Sequence, residues 1–477
     1  MNTALLTDLY ELTMCQGYFL NGNNNKAVFD MFFRRQPFNS GYSVFAGLED
    51  ILEAIENFIF TDDDISYLSN LGLFRKEFLD YLKNFKFRGD IYSVREGTLV
   101  FPNEPVIKIC GSLIETQIIE SLLLNIINFQ TLIATKTARM FLASGKGEII
   151  EFGLRRAQGI NGAIAATRAS FIGGACATSN LFAGKKFGIP VRGTMAHSWI
   201  MSYSSEETSF REYANMYPDA CVLLIDTYDT LNSGIENAIK IGKELKEKGK
   251  KISVRLDSGD LEYLSKAVRK RLDDAGLTDA GIVVSNELDE EIIHHLVTAK
   301  CPIDVWGVGT KLVTGDSDSA LSGVYKLAYQ ERDNEMHPVI KVSNQPAKTT
   351  LPGDKKVYRF FSSEKNPLAD LIILSGENND FQNGLILHHP DFQNIHTTLK
   401  EFSEYEELLE KVVSNGNRIS PKSGLKEIRE RTVSQLDLLD ETYKRLINPH
   451  TYKVSLSKKL SDLKFSMIEK HYNPGKI

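Results

Sequence analysis

Between residues 148 and 309, short apolar runs alternate with longer stretches of helical character. No other feature of this chain constrains its fold as strongly. The runs occupy residues 148–153, 190–195, 221–226, 252–257, 281–286 and 304–309, and amphipathic segments such as 235–248 and 261–275 lie between them. The last four runs end 31, 29 and 23 residues apart, a spacing that holds one strand and one helix per unit. Strands that alternate with helices form parallel sheet. Strands without polar alternation are covered on both faces. An incomplete (β/α) barrel of six or seven strands fits this pattern better than a doubly wound sheet.

The flanks read differently. Residues 1–115 are predicted to form an N-terminal α/β domain, with a helix over 5–19, strands over 26–33, 87–100 and 106–110, and a helix over 48–58. Residues 116–330 form the barrel, entered by a long helix over 116–143. Residues 331–477 form a β-rich return segment, with strands expected at 339–342, 356–361, 371–374 and 385–387, and then a charged, mostly helical C-terminus from 403 onward. The fold class is therefore α/β: an incomplete (β/α) barrel with a second α/β domain built from the N-terminal and C-terminal parts.

Charge and cysteine usage narrow the function classes. The net charge is −6, and Lys and Arg are spread along the chain rather than gathered into a stripe. Nucleic acid is therefore not an expected partner. Anionic small molecules remain possible, because a few arginines and backbone amides can hold a phosphate within an acidic protein. The five cysteines, Cys15, Cys110, Cys176, Cys221 and Cys301, are widely spaced and contain no CxxC pair, which points to a reducing compartment. The first residues carry Asp8 and Glu11 and no basic region, unlike a secretory signal. The apolar run 118–127 is interrupted by Glu120 and Asn125, so no membrane span is expected. These observations place the protein in the cytoplasm.

In a (β/α) barrel, chemistry is done at the C-terminal ends of the strands. The runs of this chain end in Phe152-Gly153-Leu154-Arg155, Thr194-Met195-Ala196-His197, Asp226-Thr227, Arg255-Leu256-Asp257, Ser285-Asn286-Glu287 and Gly307-Val308-Gly309-Thr310. Any one of these could be ordinary turn and cap chemistry. Six together would converge in space. Arg255 and Asp257 are two apart on a strand and share a face. The arginine could grip a carboxylate bidentately, and the aspartate could accept ribose hydroxyls or help to bind a metal. The plain alternative is a buried ion pair. Gly309 and Thr310 could let backbone amides approach a phosphate. His197, among small residues, could be a base, a metal ligand or a nucleophile, with Asp226 bonding its other nitrogen.

The strings TDLYELTM (7–14), EFGLRRAQG (151–159), GTMAHS (193–198), VRLDSGD (254–260) and WGVGTKL (306–312), taken in this order, resemble the nicotinate phosphoribosyltransferase family. The resemblance runs through VYKLA (324–328) and more weakly through KTTLPGDKKVYR (348–359). It implies transfer of a phosphoribosyl group from 5-phosphoribosyl 1-diphosphate to nicotinate, giving nicotinate mononucleotide and diphosphate. It further implies coupling to ATP hydrolysis through a phosphohistidine and a homodimer with a shared active site; for such a reaction Mg²⁺ is expected on the diphosphate, because it prefers phosphate oxygens and few carboxylates. On this resemblance His197 is the phosphoacceptor and Asp226 an acid near it. Phe152, Arg155, Thr194 and Arg255 contact the pyridine substrate. Tyr10 contacts nicotinate, and it and Asp8 are lent across the dimer interface. Gly309 and Thr310 belong to the phosphate-binding loop. Relatives that use nicotinamide carry an aspartate where Ser179 stands, and its absence favours the acid over the amide. A nicotinamide enzyme, a quinolinate enzyme and a non-catalytic nucleotide-binding barrel are the competing readings.

Overall fold

The fold follows from which strands have neighbours on both sides. The structure, a computed structural model, describes residues 3–343, 345 and 348–472. The chain divides into two compact units, one of residues 133–319 and one of residues 1–132 with 320–477. The boundary falls within the helix Glu120–Ala143.

The unit 133–319 is built on a six-stranded, all-parallel sheet. Its strands are β1 (Glu148–Glu151), β2 (Ala177–Thr178), β3 (Cys221–Leu224), β4 (Ile252–Leu256), β5 (Gly281–Val284) and β6 (Val305–Val308). Their spatial order is β2-β1-β6-β5-β4-β3, and the curled sheet stays open at β2 and β3. Val254, Leu256, Ile282, Val284 and Val308 are fully buried. The connecting helices supply the cover. In Ile235–Glu247 the buried residues Ile235, Ala238, Ile241, Gly242 and Leu245 recur at helical spacing, and the charged residues face outward. Parallel strands covered by helices position loops at one end of the sheet, where the side chains following each strand meet.

The other unit holds two large sheets and a two-stranded one that pairs Ser43–Val44 with Leu99–Val100. The larger is antiparallel, in the order Glu335–Pro338, Gly323–Arg332, Lys26–Phe33, Ile107–Ser112, Asp90–Ser93, Glu410–Ser414 and Asn417–Arg418. Pairing of Ala27 with Gln330 through to Phe33 with Gly323 stitches the N-terminal part of the chain to the part that follows residue 320. The second sheet contains Lys355–Phe361 and Pro367–Leu374, with Val454–Leu456 running parallel to the latter. There Arg359 is buried in a bidentate pair with Asp370 at 2.9 and 2.7 Å, and the Tyr452 hydroxyl donates to Asp370 at 3.0 Å.

Three sequence expectations are corrected and a fourth is refined. Residues 190–195 form no strand: Val191 makes one isolated parallel bridge to Thr178, and the regular strand is the two-residue β2. Pro190 has no N–H to donate, so the pairing cannot propagate. The strand expected at 339–342 lies earlier, at Glu335–Pro338, because Asp333 and Asn334 adopt positive φ and turn the chain into a tight hairpin. The region after 403 is not helical at first: Glu404–Glu407, Glu410–Ser414 and Asn417–Arg418 are strands, and helices begin at Leu425. Only Leu408, Leu409, Val412 and Val413 are apolar and buried there, so the abundant charges masked the strands. Finally, the helical stretch Leu113–Ala143 is long and apolar enough to cross a membrane by length and composition, although the run 118–127 alone is not. Two thirds of its apolar window is buried within the protein, as in a core helix.

Candidate active site

At the C-terminal ends of β4 and β5 three side chains form one hydrogen-bonded group. Arg255, on β4, alternates with the buried Val254 and Leu256 and so points to the opposite face. Its Nε donates to Ser285 Oγ at 3.0 Å, its Nη1 to Thr194 Oγ1 at 2.6 Å and to the Met195 carbonyl at 3.1 Å, and its Nη2 lies 3.3 Å from Asp257 Oδ1. The Ser285 hydroxyl in turn makes a short hydrogen bond to Asp257 Oδ1. The guanidinium is largely buried, with 12% of the side chain exposed, while Asp257 is 30% exposed.

This geometry changes the expectation for Arg255. A bidentate grip needs two adjacent free donors. Nε and Nη1 are already engaged, so a carboxylate arriving here meets Nη2. What the structure shows is the ion pair with Asp257, with Nη2 as the nitrogen that makes no other hydrogen bond.

His197 opens the short helix His197–Met201. Its Nδ1 lies 3.0 Å from Thr227 Oγ1, and its Nε2 lies 3.7 Å from Asp257 Oδ2; the side chain is 40% exposed. The sequence placed Asp226 on this ring. In the structure Thr227 takes that place, and Asp226 turns away: its Oδ2 accepts from the Asp257 amide at 2.8 Å and from Ser258 Oγ at 2.6 Å. Asp226 thereby pins the start of the loop after β4. Its other oxygen, Oδ1, is buried without a hydrogen-bond partner.

The end of β1 supplies an aromatic wall. Phe152 donates its amide to the Val308 carbonyl at 2.7 Å. Its ring lies so close to Gly307 that a Cβ there would sit 2.6 Å from Cε2. Glycine at 307 is therefore a space requirement. At the end of the same strand, the buried Glu151 accepts from Thr167 Oγ1 at 2.9 Å, from Thr178 Oγ1 at 2.6 Å and from the Gly153 amide in a short bond. Ser179 donates its amide to the Glu151 carbonyl at 3.0 Å, so the end of β2 carries a hydroxyl and no carboxylate at this position. Arg155 is exposed on the turn Leu154–Arg156. Over Gly309 the backbone is open: a Cβ there would approach only the Phe152 carbonyl, at 3.4 Å. Thr310 Oγ1 donates to Glu287 at 3.1 Å, and Lys311 pairs with Asp289 at 2.5 Å.

The structure thus gathers Thr194, His197, Arg255 and Asp257 into one cluster, puts Phe152 against Gly307, and sets Asp226 behind the cluster as a brace. Asp229 and Asp260, which follow β3 and β4, are helix caps: Asp229 accepts from the Leu231 and Asn232 amides, and Asp260 from the Tyr263 amide. Ser285, Thr227 and Glu151 were given no role from sequence. Ser285 and Glu151 are buried polar groups directly after or at the end of a strand, which is the signal that could have found them.

Tyr10 and Asp8 belong to the other unit, at the start of the helix Leu9–Leu20. Ser121 Oγ donates to Asp8 at 3.0 Å and to the buried Glu11 at 2.5 Å. Burial pushes the Glu11 carboxyl up to about 7, with the Glu120 and Asp8 charges adding to the rise against the hydrogen bonds from Ser121. Burial, then the Glu120, Glu11 and Asp8 charges, push the Tyr10 hydroxyl far above its ordinary range. Leu6, Leu9, Tyr10 and Met14 are exposed along this segment.

Among the described residues no group of three or more His, Cys, Asp and Glu side chains is gathered to hold a metal. All five cysteines are free. A cation that arrives already bound to phosphate oxygens needs only one or two carboxylates from the protein. Asp257 and the unpartnered Oδ1 of Asp226 fit that requirement.

Comparison with known proteins covers nearly the whole chain. Family models described as the nicotinate phosphoribosyltransferase N-terminal domain, the nicotinate phosphoribosyltransferase family and its C-terminal domain match residues 5–128, 148–384 and 354–464. The chain is 45% identical over 459 residues to a nicotinate phosphoribosyltransferase of Bacillus subtilis, covering 95% of this chain and 93% of that one. The crystal structure of human nicotinic acid phosphoribosyltransferase superposes with a TM-score of 0.85 at 30% identity, covering 97% and 99% of the two chains. The fold is shared with a nicotinate-nucleotide pyrophosphorylase from Pyrococcus furiosus, with a TM-score of 0.70 at 22% identity, covering 91% and 95%.

Proposed function

The chain belongs to the nicotinate phosphoribosyltransferase family, and we propose that it joins nicotinate to 5-phosphoribosyl 1-diphosphate, releasing diphosphate and forming nicotinate mononucleotide for NAD biosynthesis. The observation that carries this reading is the cluster in which Thr194, Ser285 and Asp257 hold Arg255 beside His197. It offers a cation for a pyridine carboxylate, a carboxylate for ribose hydroxyls and an accessible imidazole, side by side.

The residues divide the work by their chemistry. The Phe152 ring is the platform for the pyridine, and Nη2 of Arg255 with the Thr194 hydroxyl meets its carboxylate. Arg155 is a further cation at the mouth. As diphosphate leaves, the ribosyl carbon takes on oxocarbenium character, so correct placement of the ring nitrogen and electrostatic support do most of the catalysis. The open backbone at Gly309 and the Thr310 hydroxyl receive phosphate oxygens. Mg²⁺ carried on the diphosphate would neutralise the leaving group, with Asp257 and Asp226 as its protein carboxylates.

ATP enters through His197. The neutral imidazole attacks the γ-phosphorus, the bond to ADP breaks, and the phosphorylated ring places negative charge next to Asp257 until water removes the phosphoryl group as phosphate. Net, the enzyme forms a C–N bond with ATP hydrolysis, a ligase-type coupling. Tyr10 and Asp8 are lent to the site of a second copy of the chain in a homodimer; the exposed apolar side chains of their helix support such an interface. The free cysteines accord with a cytoplasmic setting. Ser179, where a carboxylate would repel nicotinate, disfavours nicotinamide.

The reading is tested by incubating the protein with nicotinate, 5-phosphoribosyl 1-diphosphate and Mg²⁺ and quantifying mononucleotide and diphosphate. Equal amounts of both are expected, and a folded protein that yields neither refutes it.

A further inference from the structure

We propose that Ser285 is a positioning residue that joins Arg255 and Asp257 into one rigid unit and so decides which carboxylate oxygen faces His197. The proposal rests on the functional reading above for its kinetic consequences, but its structural claim stands on the geometry alone.

The argument begins with what a hydroxyl can do. Ser285 Oγ has one proton to give and lone pairs to accept with. Arginine donates and never accepts, so the 3.0 Å contact with Nε must be Ser285 accepting. Its proton is therefore directed to Asp257 Oδ1, the partner in the short bond. With Oδ1 held by Ser285 and approached by Arg255 Nη2 at 3.3 Å, the remaining oxygen, Oδ2, is the one turned to His197 Nε2 at 3.7 Å. The backbone is fixed too, because the Asp257 amide donates to Asp226 at 2.8 Å. The same hydroxyl occupies Nε, which keeps the guanidinium from offering its Nε–Nη2 edge.

The surroundings leave Ser285 little freedom. It is 4% exposed, and its amide donates to the Leu256 carbonyl at 2.9 Å. A Cβ on Gly307 would come within 3.2 Å of Ser285 Cβ, so the neighbouring strand is reduced to glycine beside it. A buried donor and acceptor that lose this partner are left unpaired or must move. Without the hydroxyl, Arg255 and Asp257 can close directly on each other and draw Oδ2 away from His197.

The test compares Ser285→Ala and Ser285→Cys with the wild type in thermal melting, in steady-state kinetics and in side-chain ¹⁵N NMR of the Arg255 Nε–H. Cysteine has the shape of serine in a slightly larger side chain and is a weak hydrogen-bonding group. Both variants are expected to raise the KM for nicotinate about tenfold, to raise the KM for 5-phosphoribosyl 1-diphosphate by a smaller factor through the displaced Asp257, to lower the stimulation by ATP and to speed Nε–H exchange, with melting lowered only slightly. Wild-type kinetics in Ser285→Cys, or losses that merely follow a lowered melting temperature, would overturn the proposal. If the wild type makes no mononucleotide, the functional reading has failed; Nε–H exchange then decides the positioning role alone, and equal exchange in wild type and Ser285→Ala refutes it.

Discussion

His197 turns its Nε2 toward the free oxygen of Asp257 at 3.7 Å while Thr227 holds its Nδ1 at 3.0 Å. The imidazole is thus oriented at one nitrogen by a neutral hydroxyl and faces a carboxylate with the other. Such an arrangement orients the ring without burying it.

His197→Ala is expected to abolish phosphoenzyme formation from labelled ATP and all stimulation by ATP, while slow ATP-independent transfer persists. Acid-quench trapping of labelled protein, with product formation measured in parallel, checks this. A variant stimulated by ATP like the wild type would show that the energy coupling runs elsewhere.

Arg255→Ala is expected to weaken nicotinate binding by roughly 2–3 kcal/mol, the scale of a hydrogen bond to a charged group in a sheltered site. ATP binding should be nearly unaffected. Calorimetric titration of each ligand checks this, and equal loss of both in a protein with unchanged melting contradicts the carboxylate-meeting role.

Gly307→Ala places a Cβ 2.6 Å from the Phe152 ring and 3.2 Å from Ser285 Cβ. Overpacking of this kind costs about 1–3 kcal/mol. The ring must move, so the KM for nicotinate should rise with the loss of stability. Denaturant unfolding and kinetics on the same preparation check both effects, and wild-type values for both would mean that the ring is not fixed by this contact.

Much of this arrangement was legible in the sequence, and the reasons are physical. The parallel sheet could be read because doubly covered strands must be continuously apolar and helices between them must be amphipathic; Cys221–Leu224, Ile252–Leu256, Gly281–Val284 and Val305–Val308 all fall inside the expected runs. Arg255 and Asp257 could be placed on one face because a strand alternates. What the sequence could not show was partner choice. Asp226 and Thr227 are adjacent in sequence, and only the local backbone path decides that the hydroxyl reaches His197 while the carboxylate braces the next loop. The strands at 404–418 were hidden because their exposed positions are charged and their buried positions few.

The other unit gives a pH prediction. Glu11 is fully buried and its carboxyl is pushed up to about 7. A carboxyl raised in the folded state favours the protonated form, so its contribution to stability is complete below the unfolded value near 4.5 and is lost as pH rises through about 7. Between pH 5 and 8 the wild type should therefore lose roughly 1–3 kcal/mol through this group. Glu11→Gln should be flatter over that range. Melting curves of both proteins across it provide the check, and parallel curves would exclude Glu11 as the source.

Buried charge also sets the stability of the second sheet. Arg359→Met leaves Asp370 buried without its bidentate partner and should cost about 3–5 kcal/mol, measured by urea unfolding. A cost below about 1 kcal/mol would mean that water or another cation replaces the guanidinium at no penalty.

The most direct test of the central claim is a product assay with 5-phosphoribosyl 1-diphosphate and Mg²⁺ in which nicotinate and nicotinamide are offered in parallel, each with and without ATP. Mononucleotide from nicotinate, faster with ATP, and little or none from nicotinamide is the predicted result. Equal or preferred use of nicotinamide would contradict the account of Arg255 and Ser179.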